Sequence, residues 1–454
     1  MTTSRLLLSA AFLALAAPGL AAQQPVQPAV SQPAQPVAAP PAQRLPRITL
    51  QEALRLALES QPAMVQARQG VRTAAMGERQ ALGAFLPTVR GTASGSQSGA
   101  ERYNQATGQR VVNPFPYSES YGLSASMDLF TGFRRGANRR AASANTDLSE
   151  ANATSAEYST VRDTKVAFFA ALAAAELVTV AEAQFRRADE QLRLASEKLR
   201  LGATTRSDSL RARVEYGNSQ LQLISANGTL LYSQLNLGAT VGVDGPVQPV
   251  ADSTLELRLG PLDTATLRRE AMSSAPAIRR AEASLAAARA ALAANRAQWL
   301  PTVSANANKS WSRSTGGITD SIPFQPQWSI SLSFSYPIFN GFTREYSIVS
   351  ADAAVVNAQA TLRNARLILE AQLSQEIANL DGFAAQIDIG RVTVAAAEED
   401  LRMQRERYRL GTSTIVELLT SQSALFKAQA DFVQARFNYL VSRAKIEALV
   451  GHSL

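Results

Sequence analysis

The side chains of this sequence that could do chemistry are few in kind. It has no cysteine and a single histidine, His452 near the C-terminus. That excludes thiolate nucleophiles, disulfides, a thiol for a lipid anchor and zinc-finger spacing, and it removes the usual general base and most metal sites. Hydroxyl–carboxylate pairs remain. Thr205 precedes Asp208 by three residues, and Thr414 precedes Glu417 by the same step, the N-cap and N3 spacing in which a hydroxyl and a carboxylate satisfy the open amides at a helix start. Each pair follows a Leu-Gly step, Leu201-Gly202 or Leu410-Gly411, and each step follows cations, Lys198 and Arg200 or Arg407 and Arg409. A helix end with a left-handed glycine cap and cations on its dipole, then a tight turn and a new helix, accounts for this order. With no convergent acid pair and no phosphate-binding loop, an enzyme is the poorest reading: no catalytic, cofactor or metal residue is expected.

The elements that must hold these turns occur twice. Pro62 and Leu86-Pro87-Thr88-Val89 recur 214 residues later as Pro276 and Leu300-Pro301-Thr302-Val303, while Phe130-Thr131-Gly132-Phe133 and Leu201-Gly202 recur 209 residues later as Phe339-Asn340-Gly341-Phe342 and Leu410-Gly411. Four landmarks in one order with one length adjustment define two copies, residues 48–243 and 262–454, joined by a Gly/Pro-rich linker at 244–261. Within each copy the order is helix, strand, strand, long helix, tight turn, helix. Alanine-rich periodic sequence predicts helices over Thr49–Phe85 and Thr264–Trp299.

Strands follow. Trp328, Ile330, Leu332, Phe334 and Tyr336 alternate with serines, and Tyr121, Leu123, Ala125, Met127 and Leu129 alternate with Ser, Gly and Asp in the other copy. That period of two gives one apolar and one small polar face. Weaker strands open each pair at Val89 and Val303, and polar loops, Gln97–Pro116 and Ser312–Gln327, separate the pairs. From about Arg134 to Arg200 and Thr343 to Arg409 there is no proline, which predicts helices about 100 Å long at ~1.5 Å per residue. The returning helices carry apolar stripes at heptad spacing, such as Leu418, Leu425, Phe432, Tyr439 and Ile446, the pattern of coiled-coil packing.

Residues 1–22 carry Arg5, an apolar run and small residues around Ala21-Ala22, the pattern of a cleaved secretory signal. Residues 23–47, rich in Pro, Gln and Ala, read as a disordered linker. No later stretch reaches ~20 consecutive apolar residues, so a membrane crossing falls to the strands. Four strands cannot close a barrel, and open edges are not tolerated in lipid, so the chain must oligomerise. Trp299, Trp311, Trp328, Tyr336 and Phe339 near strand ends suit an aromatic girdle against outer-membrane lipid. The net charge of +8 comes from arginines scattered among acids, which argues against nucleic acid.

With Leu-Pro-Thr at strand starts, Phe-x-Gly-Phe at strand ends, and Leu410-Gly-Thr-Ser-Thr-Ile-Val-Glu-Leu-Leu419 running on to Ala435-Arg-Phe-Asn-Tyr-Leu440, the chain resembles the TolC-like outer-membrane efflux family over nearly its whole length after the linker. The resemblance implies a mostly α fold with a membrane β-barrel: a homotrimer with a twelve-stranded barrel and a periplasmic α-barrel of coiled-coil hairpins closed at its tip. It implies a periplasmic membrane-fusion adaptor and an inner-membrane transporter as partners, and a passive efflux duct for small molecules. The same duct serving type I protein secretion, or a non-conducting coiled-coil envelope protein, are the alternatives. The resemblance places gating and adaptor docking at the turns: Gly202, Arg206, Asp208, Tyr408, Gly411, Ser413, Glu417 and Thr420. Asp208 and Glu417 would ring the aperture and attract cations. Ser413 stands at the position of a gate arginine and Thr420 at that of a second acid, which leaves Arg206 as an alternative basic partner.

Overall fold

The computed structural model describes residues 45–454 apart from 98, 100, 105–107, 113–116, 252–262 and 316–322. The signal at 1–22, nearly all of the linker at 23–47, and parts of the other loops and of the inter-repeat segment lie outside the described residues. The first copy runs β1 (Arg47–Ile48), α1 (Leu50–Ser60), α2 (Pro62–Gly83), β2 (Thr88–Gln97), β3 (Glu101–Asn104), β4 (Gln109–Val112), β5 (Tyr117–Phe130), α3 (Arg134–Arg200) and α4 (Arg206–Val241). After β6 (Gln248–Pro249), the second copy runs α5 (Thr264–Ser274), α6 (Pro276–Arg296), a short 3₁₀ turn (Ala297–Trp299), β7 (Thr302–Thr315), β8 (Gln325–Ser335), α7 (Thr343–Arg409) and α8 (Ile415–Val450).

The two long helices are 67 residues each and their returning partners 36 each. The opening helix expected in each copy is instead two helices, broken where Gln61 and Ala275 take extended ψ angles of 129° and 130° ahead of Pro62 and Pro276. The residue before proline is pushed out of the helical region, and proline suits the first position of the next helix. Alanine-rich periodicity continues through the break, so periodicity alone hides it.

Each break is a joint. The Ser60 hydroxyl donates to the Val241 carbonyl at 2.9 Å, and the Ser274 hydroxyl to that of Val450 at 3.0 Å. The end of each returning helix is thereby fixed to the opening pair; α2 and α4 flank α3, while α6 and α8 pack against both α7 and α3. Parallel pairing of β1 with β6 ties the two ends of the first copy, Gln248 donating to Pro46 at 2.9 Å. The core is largest beside these joints. Phe168, Phe169 and Leu172 of α3 meet Leu237, Val241, Val433 and Phe437, while Leu369, Leu373 and Ile377 of α7 meet Ile278, Tyr439 and Ile446. Contrary to the reading of the chain's apolar runs, α3 does contain a segment long and apolar enough, by composition, to cross a membrane; Phe168 and Phe169 stand in the same helix and lie in this core.

Strands β2-β5-β7-β8 form one antiparallel sheet. The strands run longer than the alternation alone marks, and within the first polar loop β3 and β4 make a small antiparallel hairpin.

Candidate functional site

The register sorts the main sheet into two chemically distinct faces. On one, Ser126, Ser124, Ser120 and Ser118 of β5 lie beside Asn306, Asn308, Ser312 and Ser314 of β7, with Ser331 and Ser329 of β8 beyond. Hydroxyls bond across it, Thr88 with Ser126 at 2.6 Å and Ser94 with Ser120 at 2.8 Å. The other face carries Leu123, Tyr121, Trp311, Trp328, Ile330 and Phe334, with Trp328 76% and Phe334 70% exposed. Such an exposed apolar face beside a hydroxyl face suits lipid on one side and water on the other. Among the described residues, β2 and β8 each have one unpaired edge, which a barrel must close.

Aromatics stand at both ends of the strands. Trp311 stacks on Tyr121 with ring centroids 5.1 Å apart, at the end away from the helices. Trp299, Tyr336 and Phe339 lie at the helix end, Phe339 edge-on to Phe342 at 5.4 Å. Phe133 and Phe342, each closing a Phe-x-Gly-Phe motif, have φ of 62° and 64°. A left-handed phenylalanine is uncommon, so its recurrence in both copies marks a built corner between strand and long helix. Here Arg344 is buried with its guanidinium 3.4 Å above the centre of the Trp299 ring, and Arg135 lies 4.9 Å above Phe85. These two pairs recur at the same 209- and 214-residue offsets as the motifs, yet neither arginine stands out in the sequence.

At the opposite end, α3 and α7 finish in identical turns. Gly202 and Gly411 have φ of 72° and 77°; Ala203 donates back to Lys198 at 2.8 Å and Thr412 to Arg407 at 2.9 Å, the Schellman closure that only glycine enters without strain. The caps on the returning helices differ. The Thr205 hydroxyl accepts from the Asp208 amide at 3.1 Å while the Asp208 carboxylate accepts from the Thr205 amide at 3.4 Å, a full reciprocal box. Glu417 donates its amide to Thr414 at 3.3 Å but turns its carboxylate to the Thr414 hydroxyl at 3.2 Å. Partial burial works against the Asp208 charge, yet the bonds from Thr205 and Thr204, with Arg211 nearby, outweigh it and hold the carboxyl below its ordinary range.

Tyr408 is where the two hairpins meet. Its side chain is 5% exposed, packed with Ala195, Ala212, Leu401, Ile415 and Leu418. Burial pushes the phenol upward, reinforced by the Asp208 charge. Its hydroxyl, enclosed near Thr204 and Gln191, closes no full hydrogen bond. Lys198 reaches across from α3, donating to the Tyr408 carbonyl at 2.7 Å with its ammonium 4.1 Å from the ring centre. Arg206 is exposed at the start of α4 and makes no ion pair among the described residues, so Lys198 is the cation that contacts Tyr408. Ser413 has an enclosed, unbonded hydroxyl, and Glu417 is exposed. Thr420 donates to Val416 at 2.8 Å and, with Arg211, Leu419, Ser423, Ala424 and Lys427, lines a shallow groove between α4 and α8. No cluster of metal ligands occurs among the described residues.

A two-faced strand quartet carried on helices of this length defines a protomer of an outer-membrane channel. The family model described as outer membrane efflux protein matches residues 53–243 and 267–452, and the chain belongs to that family. Its two matched stretches fall on the two copies. Over 404 residues the chain is 29% identical to protein CyaE of Bordetella pertussis, covering 88% of this chain and 81% of that protein. It is 25% identical to the probable efflux pump outer membrane protein TtgC of Pseudomonas putida, covering 81% of this chain and 75% of that one. The crystal structure of the Campylobacter jejuni CmeC outer membrane channel superposes with a TM-score of 0.75 at 18% identity, over 88% of this chain and 85% of that one. The fold is therefore the TolC-like one, and the chain is an outer-membrane exit duct.

Proposed function

We propose that three copies form a passive conduit for small molecules, with a twelve-stranded barrel in the outer membrane and a helical tunnel in the periplasm. The carrying observation is the four-stranded sheet with one hydroxyl face, one exposed apolar face and two open edges, mounted on 67-residue helices. Three such sheets joined β2 to β8 leave no edge in lipid and line the lumen with Ser, Thr and Asn. Export begins with cleavage of the leader at 1–22. A periplasmic adaptor docks its helices at the tip, with the α4–α8 groove as one seat, and an inner-membrane transporter supplies the energy. Asp208 and Glu417, repeated around the axis, form the acidic collar of the tip, and the Lys198–Tyr408 contact helps hold it shut.

The test is conductance in planar bilayers, with oligomeric mass measured on the same detergent-purified sample. Discrete channels from a trimer support the duct; a monomer or a filament without conductance overturns it.

A further inference from the structure

The apolar face of the sheet carries three charged side chains along β5 and β7, and two of them neutralise each other. Arg313 forms an ion pair with Glu119, its cross-strand neighbour, and its guanidinium lies 4.7 Å from the centre of the Phe324 ring. Lys309 is the third. It sits between Leu123 of β5 and Trp328 of β8 in the same row, is exposed, and has no carboxylate partner among the described residues. Its ammonium leans along the strand, away from the helices, to lie 5.1 Å from the centre of the Trp311 ring. Trp311 is itself held by its stack on Tyr121, which meets Phe324 edge-on at 5.0 Å.

Depth decides what such a lysine can meet. Lys309 is the eighth residue of β7 counted from the helix side; at ~3.3 Å per residue and a tilt near 40°, it stands roughly 18 Å up an apolar band about 25 Å tall. Its stem can carry the ammonium further out, to headgroup level. An uncompensated ammonium facing hydrocarbon is costly, and the aromatic belt offers a partial partner only.

We propose that Lys309, with the Trp311 and Trp328 indoles, is a binding site for the phosphate of a lipid in the outer leaflet. The ammonium supplies the charge, and indole N–H groups are donors suited to phosphate oxygens. Arg313 is excluded because Glu119 already occupies it. This inference rests on the barrel reading above.

The test uses the full trimer in nanodiscs made with lipid A bearing both phosphates, or with the same lipid A dephosphorylated, and reads retained lipid by native mass spectrometry. The wild type is expected to retain the phosphorylated lipid about fivefold better, the effect of one basic residue near a charged surface. Lys309→Met should erase that preference and Lys309→Arg restore it, with inorganic phosphate failing to displace the lipid. Equal retention of both lipids by the wild type, an undiminished preference in Lys309→Met, or displacement by inorganic phosphate alone overturns the assignment. A protein that inserts and conducts yet shows no phosphate preference sinks this inference only. One that never inserts sinks the duct itself.

Discussion

Lys198 and Tyr408, 210 positions apart in sequence, are joined twice: the ammonium donates to the tyrosine carbonyl at 2.7 Å and lies 4.1 Å from the ring centre. The same carbonyl accepts the Gly411 amide at 3.2 Å, closing the second tip turn. One lysine of the first hairpin therefore braces the turn of the second. Any motion that parts α3 from α7 at this end must break both contacts.

Lys198→Met should loosen that brace. Losing a charged hydrogen bond and a partly buried cation–π contact costs about 1–2 kcal/mol, so the open-to-closed ratio should rise roughly five- to thirtyfold. Tyr408→Phe keeps the carbonyl and the ring and removes a hydroxyl that closes no full bond, and should change the ratio little. Single-channel open probability compares the two; equal effects of both variants would remove Lys198 from the gate.

Asp208 predicts an acid-sensitive cap. Its folded pKa is depressed because hydrogen bonds from Thr205 and Thr204 outweigh partial burial. A depressed carboxyl stabilises fully above its unfolded value, and that contribution is lost as pH falls through the folded one. The gap in melting temperature between wild type and Asp208→Asn should thus be present at neutral pH and close on acidification below the ordinary carboxylate range. A gap that persists or widens in acid would refute the capping role.

The acids at the tip should also set ion preference. Glu417 is exposed and caps less completely than Asp208, since its carboxylate reaches the Thr414 hydroxyl and not the amide. Glu417→Gln should therefore cost little stability while reducing cation attraction. At about 1 kcal/mol for one close pair of unit charges in water, block by a divalent cation added on the tip side should weaken by about fivefold or more, since the variant removes a charge from every copy. Reversal potential under a salt gradient gives an independent reading.

The bounds of α3 and α7 are legible in the sequence because each is proline-free and bracketed by Phe-x-Gly-Phe and Leu-Gly. The alternation that names the two sheet faces is equally plain, serines opposite Trp328, Ile330, Leu332 and Phe334. The breaks at Gln61 and Ala275 are not, because alanine supports the helical period on both sides and only the following proline marks them. Lys198 reads as an ordinary helix-end cation, since its role depends on a residue from the other copy. Arg135 and Arg344 are hidden for a related reason: what distinguishes them is the aromatic beneath, Phe85 or Trp299, contributed by a different element.

Gly242 offers the sharpest check on how the first copy is jointed. It is the left-handed cap of α4, with φ of 74°, and a Cβ placed on it would lie 2.3 Å from the Ser60 hydroxyl oxygen. That hydroxyl cannot simply swing away, because its one proton is shared between the Leu56 carbonyl at 2.7 Å and the Val241 carbonyl at 2.9 Å. Gly451 is the counterpart in the second copy, with φ of 86°, but its added Cβ would meet the ring edge of Pro276 at 3.0 Å and the Ser274 carbonyl at an ordinary 3.4 Å. Both alanine variants carry a left-handed penalty of about 1–2 kcal/mol. Gly242→Ala should cost more, because it must also displace Ser60 and free the Val241 carbonyl, which leaves a partly buried acceptor unbonded at about 1–3 kcal/mol. Adding Ser60→Gly to Gly242→Ala should then recover part of the loss by removing both the hydroxyl oxygen and the Ser60 Cβ, which would lie 2.7 Å from the added Cβ, a coupling that thermal unfolding of the four proteins in a double-mutant cycle would measure. Additive effects would mean that glycine serves only the backbone turn, and that the joint between α1 and α4 does not depend on this close approach.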